Sequence, residues 1–147
     1  MTKLEFSLML NTSSEKLIEL AMDYEKFVEY LPEQIINVKI LKKIDEYTIT
    51  EETLLFKTIM KKKIIQRSKH EKIGTNRLVS KIISGPFENS TIDVIYDKVD
   101  SGTHVIISAE IKIPLKYKIL TLMIKKVYKI WLSSVLYKMN NIASGFS

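Results

Sequence analysis

The chain reads as an α+β protein of helix-grip type: a curved seven-stranded antiparallel sheet around one long C-terminal helix, with two short helices after strand one. Three observations carry that expectation. From Ile36 to Ile113 the apolar residues recur with a period close to two. A helical period interrupts the alternation once near the start and returns after Pro114. The gaps between alternating runs are too short for the crossover of a dozen or more residues that parallel strands need, so neighbours must be antiparallel.

The elements follow in order. "KLEFSLML" places Leu4, Phe6, Leu8 and Leu10 on one face, the pattern of a half-buried strand. In "NTSSEKLIELAMDYEKFVEYLP", Thr12 and Glu15 have the spacing of a capping box, and Leu17, Ile18, Leu20 and Ala21 form an apolar stripe. A short helical turn holding Phe27, Val28, Tyr30 and Leu31 stops at Pro32, because proline disfavours helix in the residue before it. Six strands follow: "INVKILKK", "YTITEETLLF", "MKKKIIQRSKHEKI", "NRLVSKIIS", "TIDVIYDKV" and "HVIISAEIKI". Breaks fall near Asp45, Lys57–Thr58, Gly74–Asn76, Gly85–Asn89 and Asp100–Gly102. In the last strand Val105, Ile107, Ala109, Ile111 and Ile113 share one face, with His104, Ser108, Glu110 and Lys112 on the other. Leu115 to Ser144 reads as one helix. At about 100° per residue its apolar face holds Leu120, Ile124, Val127, Tyr128, Trp131, Leu132, Val135, Met139 and Ile142. Lys118, Lys125, Lys129, Ser133 and Asn140 gather opposite.

Composition bounds the function. The 147 residues suit one domain, 1–147, with a single core, and 46% hydrophobic with 27% charged residues is a globular profile. No cysteine is present, which removes thiolate metal sites and cysteine nucleophiles and fits a reducing, cytoplasmic setting. The alternating N-terminus lacks a signal-peptide core, and the longest apolar-rich run, "ILTLMI", is far shorter than the roughly 18–20 residues that span a bilayer. Net charge is +6, yet arginine occurs only at positions 67 and 77. Bidentate reading of phosphates or guanines rests on arginine, so a ribosome- or RNA-associated role ranks behind other readings. The lysines Lys118, Lys125 and Lys129 suit peripheral contact with an anionic membrane.

A sheet of seven strands offers more inward apolar surface than one helix, about 10–12 Å wide, can cover. Two outcomes are open. Phe6, Phe56, Tyr96 and Trp131 fill the space, or part of it remains as an apolar pocket. Walls of such a pocket would come from Phe56, Ile82, Val94, Tyr96, Ile107, Ala109 and Ile111 on the sheet. Leu120, Ile124, Val127, Tyr128, Trp131 and Val135 would face them from the helix.

Two segments extend this reading. "MDYEKFVEYLP", Met22 to Pro32, and "ISGPFENSTIDVIYDKVDSGTHVIISAEIKI", Ile83 to Ile113, resemble segments of the coenzyme-Q-binding START-domain family. That family is also called the polyketide cyclase and lipid-transport group, within the START/Bet v 1-like helix-grip superfamily. Phe27, Tyr30, Leu31 and Pro32 match the first motif; Gly85, Pro86 and Phe87 match the second. Where family members often carry tryptophan after the hairpin, this chain has "STIDVIY" with Tyr96. The resemblance implies a cavity between sheet and C-terminal helix that holds an isoprenoid quinone, a lipid or a polycyclic aromatic. It places Phe87 over the cavity mouth opposite Phe27 and Tyr30, with Leu31 also in the lining; the plain alternative is that Phe87 plugs the end of the core.

Catalytic signals are sparse. His70 lies in "SKHEK" at what reads as a solvated strand end, and His104 sits on an outward phase. Neither has a carboxylate at metal-motif spacing, and no glycine-rich phosphate loop occurs. Alternation must point one of Glu51 and Glu52 inward, where a raised pKa would suit acid–base work. The ordinary reading puts that pair near the strand's exposed end. A non-enzymatic carrier of a hydrophobic molecule, without a resident cofactor, is therefore the first expectation. A cyclase using Glu51, Glu52 or Tyr96 is the second.

Overall fold

The alternating stretch folds as a meander that the first strand closes from the side. A computed structural model of the chain describes residues 2–57, 59 and 61–145. The strands are β1 Thr2–Leu10, β2 Ile35–Lys43, β3 Thr48–Leu55, β4 Lys63–Ile73, β5 Arg77–Ser84, β6 Thr91–Val99 and β7 Gly102–Ile111. They form one antiparallel sheet ordered β1-β7-β6-β5-β4-β3-β2. The expected strand start at Met60 and the break at Thr58 lie outside the described residues; β4 itself begins at Lys63.

Where the residues are apolar, the alternation along β1 and β7 matches the inward face of the sheet. Leu4 pairs with Ala109, Phe6 with Ile107 and Leu8 with Val105, so β1 and β7 add their apolar faces to the same side. Register shifts interrupt the β2–β3 pairing at Ile35/Asn37 and Ile40/Lys42, and the β4–β5 pairing at Arg67/Ser68. An extra residue on one strand bends it and increases local twist, which helps the sheet curl.

Helix α1 spans Ser14–Ala21, a 3-10 turn covers Tyr24–Lys26, and α2 spans Phe27–Tyr30. The N-terminal cap of α1 is Ser13, whose hydroxyl accepts the Lys16 N–H at 3.3 Å, not Thr12 as the spacing suggested. Thr12 is drawn elsewhere: its hydroxyl donates to Asn140 Oδ1 at 2.8 Å, and its carbonyl accepts from Thr103 Oγ1 at 2.7 Å. A run of three hydroxyl residues offers three caps, and a tertiary partner decides among them. Glu15 remains in the first helical turn, where a carboxylate suits the helix dipole.

The last helix is also shorter than its sequence pattern. Leu115–Leu120 forms a 3-10 helix, and α3 spans Thr121–Ala143. Leu115 and Ile119 project into solvent, so no tertiary burial enforces an α-helical phase there. Within α3, Ile124, Tyr128, Val135, Leu136 and Met139 are buried. Leu136 lies outside the expected stripe, because α1 and α2 contact α3 as well as the sheet and widen the buried arc. Ile142, expected on that stripe, is exposed, and Asn140, expected in water, bonds Thr12 and Asn11.

Candidate functional site

Between the concave sheet and α3 lies a cavity of about 220 Å³, partly open to solvent. Of the residues expected to form a pocket, Phe56, Ile82, Val94, Tyr96 and Ile107 line it from the sheet side. Phe27 and Leu31 contribute from α2 and its end, and Tyr128, Trp131 and Val135 from α3. Tyr30, Phe87, Ala109, Ile111, Leu120, Ile124 and Val127 do not line it. Tyr30, Phe87, Ala109, Ile111 and Ile124 are buried in the core, while Leu120 and Val127 are half-buried against it.

Phe87 shows why the aromatic belongs to its turn. Gly85 has φ of 114°, and a Cβ there would sit 2.9 Å from Gln66 Cβ, so the chain turns where only glycine fits. The turn closes through Glu88 N–H to Gly85 O at 3.1 Å and Asn89 N–H to Ile82 O at 2.7 Å. Ser90 Oγ then accepts the Lys112 N–H at 2.8 Å, drawing the hairpin tip to the end of β7. Phe87 is thereby carried inward, 0% exposed, with its ring 5.5 Å from Phe56 and edge-on to Tyr128 at 5.9 Å. It plugs the core and does not stand at a rim. Phe56 in turn stacks on Trp131 at 4.5 Å, which makes one cavity wall aromatic.

The opposite part of the lining is polar. Thr50 and Glu52 of β3, Gln66, Ser68 and His70 of β4, and Ser80 of β5 all face the cavity. Register places them side by side: Thr50 opposite Ser68, Glu52 opposite Gln66, and His70 opposite Ser80. Glu52 Oε1 accepts from Ser68 Oγ at 2.7 Å and from Gln66 Nε2 at 3.3 Å, and Oε2 accepts from Thr50 Oγ1 at 3.0 Å. Thr50 has one hydroxyl hydrogen and gives it to Glu52, so its 2.8 Å contact with His70 Nε2 must be donated by the imidazole. That assigns the tautomer: Nε2 carries the proton, and Nδ1 accepts from Ser80 Oγ at 2.7 Å. A single directed line of hydrogen bonds thus runs from Ser80 through His70 and Thr50 to the Glu52 carboxylate.

Electrostatics follow from burial. His70 is sheltered under Tyr24, stacked at 4.2 Å, and its pKa falls to about 4, so the ring is neutral at ordinary pH. Burial pushes the Glu52 carboxyl up, against the opposing effect of the hydrogen bonds from Ser68, Gln66 and Thr50. The hydroxyls of Tyr96 and Tyr128 are likewise held protonated by burial, and Tyr24 is raised to about 12. Gln66 Oε1 is buried and has no hydrogen-bond partner among the described residues.

Two expectations are corrected here. His70 is not at a solvated strand end; it belongs to the inward phase, enclosed by Tyr24, Thr50 and Ser80. Glu52 is not at an exposed end either, whereas Glu51 points outward and pairs with Arg67 at 3.1 Å. The signal was present in the strand phases. Thr50 and Glu52 alternate in step with buried Leu54, and Gln66, Ser68 and His70 in step with buried Ile64. Among the described residues no group of three His, Asp or Glu side chains could hold a metal ion.

No family model matches the chain, and no curated protein matches it by sequence. Solved structures do match. A Thermus thermophilus protein superposes with a TM-score of 0.82 at 18% identity, covering 98% of each chain. The Zhui aromatase/cyclase from a Streptomyces species gives 0.80 at 11% identity over 99% of each chain. A START superfamily protein from Mycobacterium smegmatis gives 0.75 at 10% identity, over 95% of this chain and 98% of its own. At such identities the likeness concerns architecture alone: this chain has the START/Bet v 1-like helix-grip fold, a seven-stranded antiparallel sheet closed on its C-terminal helix.

Proposed function

We propose that the chain binds and shelters a hydrophobic small molecule carrying one polar end, in the cavity between sheet and α3. The observation that supports this is the cavity's division: an aromatic wall of Phe56, Tyr128 and Trp131 faces a hydrogen-bonded patch of Thr50, Glu52, Gln66, Ser68 and His70. A side-chain-filled core would have no use for that patch, because buried polar groups cost stability unless satisfied. Size narrows the guest. A volume of about 220 Å³ exceeds the roughly 150 Å³ of an apolar cavity that admits benzene, yet lies below the usual range of drug-sized pockets. It suits a compact ring system or short chain. An isoprenoid quinone would enclose its ring and lead its tail out, each methylene held against apolar surface adding about 0.8 kcal/mol.

Trp131 is the single tryptophan and lines the cavity, so it reports occupancy directly. Menadione, a short-chain ubiquinone, palmitate and naringenin form a suitable panel for fluorescence titration. At least one is expected to quench Trp131 saturably, and Val94→Phe, which narrows the chamber, to abolish it. The proposal fails if none quenches and organic extracts of the purified protein contain no small molecule.

A second reading, an acid–base cyclisation enzyme, is favoured by the hydrogen-bonded line ending at Glu52. An ionised Glu52 could take a proton α to a carbonyl, with Tyr96 or Tyr128 donating to the oxygen. Turnover of a β-polyketone falling at least about a hundredfold in Glu52→Gln is the expected result. Unchanged turnover in that variant removes the enzyme reading and leaves the carrier intact.

A further inference from the structure

The charge of the chain is unevenly placed. The last acidic residue is Glu110, and Lys112, Lys116, Lys118, Lys125, Lys126, Lys129 and Lys138 follow it without one carboxylate side chain. Those 7 lysines exceed the whole net charge of +6, so residues 1–110 sum to −1 (+6 minus +7). Glu110 itself faces Lys3 at 3.9 Å, on the far side of the first strand pair.

Large apolar side chains stand in the middle of this basic segment. Leu115 is 87% exposed, Ile119 92% and Leu122 82%. They sit where the 3-10 segment runs into α3, spaced by four and three residues. One turn further, Lys126 and Lys129 are exposed beside Met123 and Ile130. Isolated exposed apolar side chains need no explanation, but three within eight residues, interleaved in sequence with lysines, are more than a surface built only for water requires. Long lysine stems can lie along such a patch while their ammonium groups reach outward. Exposed apolar side chains and lysines in a segment with no carboxylate side chain fit an anionic lipid surface, where acyl chains take the apolar groups and headgroups take the lysines.

We infer that the segment Leu115–Ile130 is a membrane-docking surface, inserting Leu115, Ile119 and Leu122 at the lipid interface and pairing Lys116, Lys118, Lys126 and Lys129 with anionic headgroups. The inference stands on the surface alone and is tested without any guest in the cavity. Sedimentation of the purified chain with phosphatidylcholine vesicles, with and without phosphatidylglycerol, reads it directly. Binding is expected only with phosphatidylglycerol, and to weaken strongly between about 0.1 M and about 1 M salt, as screening shortens from about 10 Å to about 3 Å. Each of Lys116→Ser and Lys126→Ser should lower the partition coefficient about fivefold, the equivalent of about 1 kcal/mol per lysine. The triple change Leu115→Ser, Ile119→Ser, Leu122→Ser should abolish binding with the circular-dichroism spectrum unchanged. Three results overturn the inference. One is equal binding to both vesicle types; another is wild-type binding by the triple variant. The third is a patch occupied otherwise: a dimer in sedimentation velocity that the triple variant dissolves, or tighter retention on single-stranded RNA that it leaves untouched.

Discussion

Two regions of the interior face the same helix and are built in opposite ways. Around Phe56, the rings of Phe87, Tyr128 and Trp131 interlock at centroid distances of 4.5–6.2 Å, and close contact does the work. Around His70, the side chains are small or polar, every bond has a direction, and space is left in front of them. Dense apolar contact tolerates no missing volume, whereas a hydrogen-bonded patch tolerates a gap provided its groups stay paired. A hollow beside the second region therefore costs less than one within the first, and the cavity lies between the two, bounded by both.

The largest test of this contrast is Phe87→Ala. Emptying a fully buried aromatic site should cost about 3–5 kcal/mol in urea denaturation, while Trp131 quenching by a bound guest persists in the folded fraction. A variant that stays stable but loses binding would return Phe87 to the cavity rim and erase the distinction. The next effect is pH-dependent and belongs to the polar region. His70 titrates near 4 in the fold against 6.5 in the unfolded chain, so the unfolded state binds the extra proton between those values. Its contribution is whole above about pH 6.5, declines as pH falls, and is gone below about pH 4. Glu52, shifted upward, works in the opposite sense, because its folded carboxyl gains a proton more readily than the unfolded one. From about pH 7 to about pH 5, His70 should account for a loss of about 2 kcal/mol that His70→Gln does not show. Parallel stability profiles for the two proteins would mean that the ring is hydrated. The smallest effect is Ser80→Ala, which removes one donor to Nδ1 and should cost about 1 kcal/mol in denaturation. A cost rivalling that of Phe87→Ala would show the polar line to be as tightly integrated as the aromatic cluster.

The same division marks what could be read from the amino acids. Element order, the antiparallel meander and the inward phase of β7 were legible, because Val105, Ile107, Ala109 and Ile111 alternate with polar neighbours under one simple rule. The polar region was legible only in part, at Ser80 and at the Glu51–Glu52 pair, one of which alternation must point inward, and for a physical reason. Gln66, Ser68 and His70 obey the same alternation, but their chemistry is that of a wet face, and hydrophobicity alone assigns them outward. Only their phase relative to Ile64, and that of Thr50 and Glu52 relative to Leu54, places them inside. Phe87 failed in the other direction. The motif containing it was visible, but whether its ring lies over a mouth or within the core depends on Ser90 tying the hairpin to Lys112, a contact between elements. The cap of α1 departs from its spacing for a similar cause, since Asn140 competes for Thr12 across 128 positions.

The bonds at the end of α3 have a mechanical consequence. Lys138 Nζ donates to the Tyr30 carbonyl, and Asn140 joins Thr12 and Asn11, all within the last six residues of the helix. Its other half is held by side-chain contact, which has no preferred direction. Directional bonds at one end fix the helix along its axis but leave its tilt to the packing of Tyr128 and Trp131 at the other. From Lys138 back to Thr121 the lever is about 25 Å, so a tilt of about 10° displaces the far end by about 4 Å. Widening the cavity by such a lean would have to part Tyr128 and Trp131 from Phe56, so the aromatic cluster sets the girth of the guest.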